Sequence, residues 1–198
     1  DGIPCVCFGE MSMRILRRIP LIAMSYQAVY PPAYNSTYVK ATTNTFEMEP
    51  HKALDPSQPL SGDAYPYCWM SNVGNPTSQR FHVDLGSAKV IGKIVYCNYH
   101  NAGYNTIRGV NGFTLQGSNS SSSFTNLTYA TDTGWTTIEK SPASMTRHTQ
   151  AYDGALFYEI TVTSPITPYR YYALKCANNH GDTSYMGIRR LTFYELTY

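Results

Sequence analysis

Two stretches carry the residue types that could do chemistry. The first runs Cys97-Asn98-Tyr99-His100-Asn101-Ala102-Gly103-Tyr104-Asn105-Thr106-Ile107-Arg108, and the second Cys176-Ala177-Asn178-Asn179-His180-Gly181-Asp182-Thr183-Ser184-Tyr185. Both are rich in amides and each holds an imidazole and tyrosine. Asn and His offer paired donors and acceptors to a ligand with fixed hydroxyls. Arg108 adds a rigid fork of donors, and tyrosine adds an apolar face with a polar tip. Tyr99, His100, Asn101, Tyr104, Arg108, Asn178, Asn179, His180 and Tyr185 are therefore the candidate ligand-binding residues, for a sugar. The bland alternative is a pair of solvated loops built from turn formers. A second chemistry is open in the same stretches. Cys97-x-x-His100 and Cys176-x-x-x-His180 supply two sulfurs and two imidazoles, the donor set of a structural zinc. A Cys97–Cys176 disulfide is a further alternative.

Catalytic patterns do not emerge. Acidic residues number 13 in 198, and no two form a carboxylate-pair motif. No serine has the context of a nucleophile elbow. His82 alternates on a strand and reads as an exposed strand residue. The expectation is a protein that is not an enzyme. A net charge of +2 with 14% charged residues gives no basis for nucleic-acid binding. Five cysteines leave at least one without a partner within the chain, and Cys5 and Cys7 are too close in sequence to bridge.

The elements that must position these loops read as strands. Phe81, Val83 and Leu85 alternate with His82 and Asp84, the period of a strand buried on one face. Gly86–Lys89 is a turn, and Val90, Ile91, Ile94 and Val95 open a second strand. Further strands are expected at Thr37–Phe46, Val110–Ser118, Trp135–Ile138, Leu156–Val162, Tyr169–Leu174 and Ile188–Tyr194, with Asn119–Ser123 as a hairpin tip. Short strands at regular spacing, without a long helical period, predict an all-β sandwich or jelly roll. Residues 1–29 differ in composition. Met13–Met24 is apolar but broken by Arg14, Arg17, Arg18 and Pro20, and is too short and charged to span a membrane. Residues 1–36 are read as an N-terminal arm and linker, which docks on the domain or on a larger assembly, and residues 37–198 as the domain.

Val83-Asp84-Leu85-Gly86-Ser87, the Ile91-Gly92-x-Ile94 strand, Ala53-x-Asp55 leading to Trp69-x-Ser71, Phe113-x-Leu115-x-Gly117-Ser118-Asn119 and the Arg170-Tyr171 strand come in one order. In that order they resemble the discoidin, or factor V/VIII type C, family, over about Ala41–Leu196. The resemblance implies a galactose-binding-like jelly-roll β-sandwich with an N-terminal extension. It implies a carbohydrate-binding module whose loops at one end of the sandwich hold glycan, in a secreted, cell-surface or virion host-attachment protein. The alternative is a structural or protein-interaction module decorating an assembly. Some relatives bind membrane lipid through apolar loop tips, but Asn119–Ser123 is polar, which disfavours lipid. Many relatives carry a structural calcium bound by the Asp of the Ala-x-Asp turn and a Glu early in the closing strand. Asp55 matches that Asp, but Arg190 aligns with the Glu. The expectation is therefore no cofactor, with Arg190 paired to Asp55 in place of the ion; calcium near Asp55 is the alternative.

Overall fold

The structure is a computed structural model that describes residues 24–164 and 167–197. Ten strands follow one another: β1 (Ser25–Val29), β2 (Val39–Ala41), β3 (Trp69–Met70), β4 (Gln79–Lys89), β5 (Ile91–Asn98), β6 (Phe113–Ser118), β7 (Thr136–Ser141), β8 (Tyr158–Ser164), β9 (Tyr169–Cys176) and β10 (Gly187–Thr197). One five-residue helix, α1, spans Ser121–Thr125. The pairings are antiparallel in the order β1-β10-β5-β8-β7-β6-β9-β4-β2, with β3 also on β10. β7 pairs with both β6 and β8. The sheet thereby curls on itself, and β6-β9-β4-β2 face β1-β10-β5-β8 across the core. This is the expected all-β, galactose-binding-like sandwich. No helix among the described residues is long and apolar enough to cross a membrane.

Alternation fills the space between the layers. Phe81, Val83 and Leu85 from β4 and Tyr172 and Leu174 from β9 meet Ile94 and Tyr96 from β5, Ile160 from β8 and Leu191 and Phe193 from β10. Trp69 is fully buried and packs edge-on against Phe81 at 5.2 Å between centroids. Burial of a large apolar side chain contributes about 1.5–3 kcal/mol each, so these positions dominate the stability of the sandwich.

The other face of β4 departs from expectation. His82 is fully buried, not exposed. The stretch after β6 is no hairpin tip; it folds back as α1 and lays Phe124 and Trp135 against the imidazole, at 6.2 and 4.8 Å between ring centroids. The same excursion buries Arg80, which donates to Gln116 Oε1 at 3.1 Å, Thr128 O at 3.1 Å and Asp132 Oδ1 at 2.5 Å. Burial of a guanidinium is tolerated here because its donors are met by acceptors. Asp84 is held by Arg170 through two contacts of 2.8 and 2.9 Å.

The expected strand Thr37–Phe46 shrinks to β2, and its remainder runs as loop. At the other edge Ser25–Val29 joins the sheet, Ser25 opposite Thr197 and Val29 opposite Phe193. Tyr26 covers Gly92, where an added Cβ would sit 2.6 Å from the tyrosine ring. The earlier part of the arm, residues 1–23, lies outside the described residues.

Cys97 and Cys176 are both buried and unbonded, as is Cys68, so the disulfide alternative is corrected. The Asp55–Arg190 pair is corrected too. Asp55 turns its carboxylate onto its own turn, accepting from Ser57 N and Oγ and from Gln58 Nε2 at 2.7–2.9 Å. Arg190 instead donates to Gln58 O at 2.5 Å, so Gln58 stands between the two. Burial opposes the Asp55 charge, but Gln58, Ser57 and, through space, Arg190 lower its pKa, so the two charges attract without a direct bond while the carboxylate's hydrogen bonds are met locally.

Candidate functional site

A cleft of about 330 Å³ opens beside the start of β10, lined by Thr45, Phe46, Met48, Tyr65, Met70, Tyr99, Asn101 and Arg108. Three chain segments build it.

The loop after β2 supplies its aromatic rim. Thr45 N–H donates to Met70 O, and Met48 N–H closes a turn onto Thr45 O at 3.1 Å. Glu47 sits in that turn at φ 57°, in the left-handed region that a glutamate rarely occupies. The turn lifts Phe46 outward, 79% exposed. From across the cleft the Tyr65 hydroxyl donates to the Glu47 carboxylate and fixes the turn. Tyr65 is itself half exposed. Backbone strain kept at a surface turn, with a side chain recruited to hold it, is the pattern of a preorganised binding element.

The loop after β5 supplies the polar floor. Ala102 and Gly103 both take positive φ, 46° and 78°, and form a tight turn closed between Asn101 and Tyr104. Gly103 is required there, because an added Cβ would meet the Tyr152 backbone at 2.9 Å. Asn101 Oδ1 accepts from Ala64 N–H at 2.7 Å, which fixes the amide in the cleft lining. Thr106–Arg108 forms one 3-10 turn entered through Asn105 at φ 53°. Tyr99 is buried among Met48, Ala64 and Cys68. Burial pushes its phenol up to about 12, against the pull of Arg108.

The loop after β9 aims Arg108. Asp182 Oδ2 receives the guanidinium Nε–H at 3.2 Å, and the guanidinium lies over the Tyr185 ring at 4.6 Å. Asp182 is itself anchored by the N–H groups of Ser184 and Tyr185, both at 2.8 Å. Burial works against the Arg108 charge, but Tyr99 and Asp182 outweigh it, and its pKa is raised. The result is a fixed cationic fork in a cleft rimmed by aromatic faces.

The sequence candidates divide accordingly. Tyr99, Asn101 and Arg108 line the cleft, and Tyr185 supports it from beneath Arg108. Tyr104 is 59% exposed but lies outside the lining. Asn178 is exposed, its Oδ1 accepting from Gly112 N–H at 2.9 Å. Asn179 is a loop builder, donating to Asp182 O and Tyr185 O at 2.9 and 2.7 Å. His180 is half-buried and its N–H ties to Ile107 O. His100 is wholly buried and is corrected as a surface ligand contact. It stacks on His148 at 3.9 Å because the turn at Ala102–Gly103 folds over it. The proposed four-ligand set does not assemble among the described residues: Cys97 and His100 gather with His148, while Cys176 packs in the core. Phe46, Met48, Tyr65, Met70 and Thr45 were not among the candidates. None of them stood out in the sequence, where Phe46 read as the last residue of an expected strand.

Comparison with solved structures gives the fold independent support. The F5/8 type C domain of a Bacteroides fragilis protein superposes with a TM-score of 0.58 at 13% identity, covering 87% of this chain and 98% of that one. Truncated AlyQ, with CBM32 and alginate lyase domains, gives 0.54 at 17% identity, covering 89% of this chain; the chain spans 35% of that protein's length. The family 32 module of Clostridium perfringens NanJ, solved in complex with galactose, gives 0.50 at 18% identity, covering 79% of this chain and 92% of that one. No curated protein matches in sequence. The profile of the F5/F8 type C family, described as NedA-like, galactose-binding domain, matches residues 52–152, which spans the cleft's loop after β5, the β4–β5 pair and Tyr65. With half of its length matched in sequence, the chain belongs to the F5/F8 type C family, by its model a NedA-like, galactose-binding domain.

Proposed function

We propose that this chain binds glycan without catalysis, in the cleft between Phe46, Tyr65, Asn101 and Arg108. The observation that carries the reading is the pairing of two exposed aromatic faces with one immobilised polar floor. A pyranose has an apolar face of C–H groups and a rim of hydroxyls. Phe46 and Tyr65 suit the first, and the Asn101 amide and Arg108 fork suit the second. A shallow cleft with few polar contacts supports weak binding, made useful by multiple copies or by attachment to a larger protein. The context that fits is a secreted, cell-surface or virion-surface protein that meets glycans, such as one that attaches to a host. The structures of similar fold include a galactose complex and a complex with 4,5-unsaturated mannuronic acid, which makes a pyranose the first ligand class to try. A glycan array probed with the full chain tests the proposal. Retention of a defined set of glycans, lost in Phe46→Ala and Arg108→Lys variants of unchanged melting temperature, is expected. Binding that survives both substitutions overturns the site.

A further inference from the structure

A second cluster lies behind the cleft floor, facing inward. One donor atom from each of Cys97, His100 and His148 falls within 4.8 Å of the others. His100 and His148 are 0% and 1% exposed, and Cys97 is fully buried. Each histidine has one ring nitrogen engaged and one left over. His148 Nε2 lies 2.9 Å from Tyr152 O. A carbonyl only accepts, so Nε2 carries the proton and Nδ1 keeps its lone pair. His100 Nδ1 accepts from Gly103 N–H at 3.2 Å, so Nε2 carries the ring proton, and the Asp153 carboxylate lies 4.0 Å from Nδ1. His148 Nδ1 and His100 Nε2 are buried with no partner among the described residues.

His148 has the outer arrangement of a metal-ligating histidine: one nitrogen donates to a carbonyl that orients the ring, and the other is free inside. We propose that Cys97, His100 and His148 bind one soft d10 metal ion, Cu(I) in preference to Zn(II). A thiolate with two imidazoles selects soft and borderline ions over calcium or magnesium. Where a protein gives zinc three donors a water supplies the fourth, and this cluster of three is sealed from solvent. Charge points the same way. Buried Arg189 lies beside the cluster, its guanidinium 3.5 Å from His100 O. A monovalent ion with a thiolate adds no net charge beside it, whereas a divalent ion adds one.

Binding releases the Cys97 thiol proton to solvent. The His100 proton moves from Nε2 to Nδ1, which gives up the bond from Gly103 N–H and turns toward the Asp153 carboxylate 4.0 Å away, and Nε2 takes the ion. The rings stack 13° from parallel, so their in-plane lone pairs run side by side. One imidazole therefore swings out of the stack as the ion enters. Asp153 is a positioning residue in this scheme, since it acts through His100.

The test uses the full chain carrying Cys5→Ser and Cys7→Ser, which removes the two thiols outside the described residues. Chelator-treated protein is titrated anaerobically with Cu(I) against bicinchoninate, and separately with Zn(II) against a chromophoric chelator. One equivalent of Cu(I) is expected, absent in the near-isosteric Cys97→Ser variant and weakened tenfold or more in Asp153→Asn. Circular dichroism confirms that the variants fold, and His148→Gln provides a second variant. No stoichiometric uptake of either ion, or uptake unchanged by Cys97→Ser, overturns the site. One equivalent of Zn(II) held in preference to Cu(I) overturns the identity of the ion.

Discussion

The Arg189 guanidinium donates to the carbonyl of Ser61 at 3.1 Å. Its other contacts are also carbonyls: Pro59 O at 3.3 Å, and Gly62 O and His100 O at 3.5 Å. Together with Arg190 on Gln58 O, two fixed cations from β10 gather the oxygens of the 58–62 loop. A hard cation would seek the same oxygens and be repelled by the charges already there. The melting temperature is therefore expected to be the same with a calcium chelator and with added calcium. Arg189→Met should lower it by about 10 °C, since each buried carbonyl left without its donor costs about 1–3 kcal/mol and each kcal/mol shifts a domain of this size by about 2–4 °C. A fall in melting temperature on chelation, reversed by calcium, would show that an ion is needed.

Arg108 owes its orientation to Asp182. Replacing Asp182 by Asn keeps the Asx-type acceptor for Ser184 and Tyr185 but removes the charge. Against an array-selected glycan, Arg108→Ala should weaken binding at least tenfold, about 1.4 kcal/mol. Asp182→Asn should fall between that and the parent. Calorimetric titration reads both; equal affinity in all three proteins would place the ligand elsewhere.

His82 makes the fold acid-sensitive. Burial pushes its imidazole down to about 4; the bond to Phe124 O works against this, and Arg80 adds to it. Its charged neighbours are Arg80 on the same strand, itself paired with Asp132, and Lys40 on β2, which lies over the Phe124 ring. The unfolded chain, with an ordinary value near 6.5, binds a proton between pH 6.5 and 4 that the folded chain refuses. This contribution is complete above about pH 6.5 and is lost as pH falls toward 4, at up to about 1.4 kcal/mol per pH unit. Urea denaturation at steps from pH 7 to 4.5 measures it. His82→Asn retains a donor for Phe124 O and should flatten the slope by one proton; an unchanged slope would assign the acid sensitivity to other groups.

A chain beginning at Tyr30 lacks β1. It should still fold, because β10 keeps β5 and β3 as partners. It should melt several degrees lower, because Tyr26 no longer covers Gly92 and Val29 no longer packs on the core. A truncated chain without near-ultraviolet dichroism would make the edge strand indispensable.

The two-residue period of Phe81, Val83 and Leu85 showed which face of β4 meets the core, because only one face needs to be apolar. It did not show that His82 and Arg80 are buried as well. Their cover comes from a serine-rich stretch some forty residues later, whose local pattern suggests a solvated tip. The cleft was legible in the same measure. Asn101 and Arg108 lie in one polar, aromatic run, and their partners Asp182 and Tyr185 in the other. Phe46 and Tyr65 were not legible, because their convergence depends on Glu47 accepting a left-handed φ and on a turn crossing to β3. Backbone strain of this kind leaves no trace in residue type.

The pairing of β1 with β10 sets a polarity for the whole molecule. Ser25 lies opposite Thr197, so the described chain enters and leaves at one pole. Gly187, at the far end of β10, pairs with Met70 in the wall of the cleft. An eleven-residue strand is about 35 Å long. A tether joined at Ser25 or Thr197 therefore leaves from the end of β10 opposite the one that borders the cleft. The geometry is that of a grapnel, with its line at one end and its catch at the other.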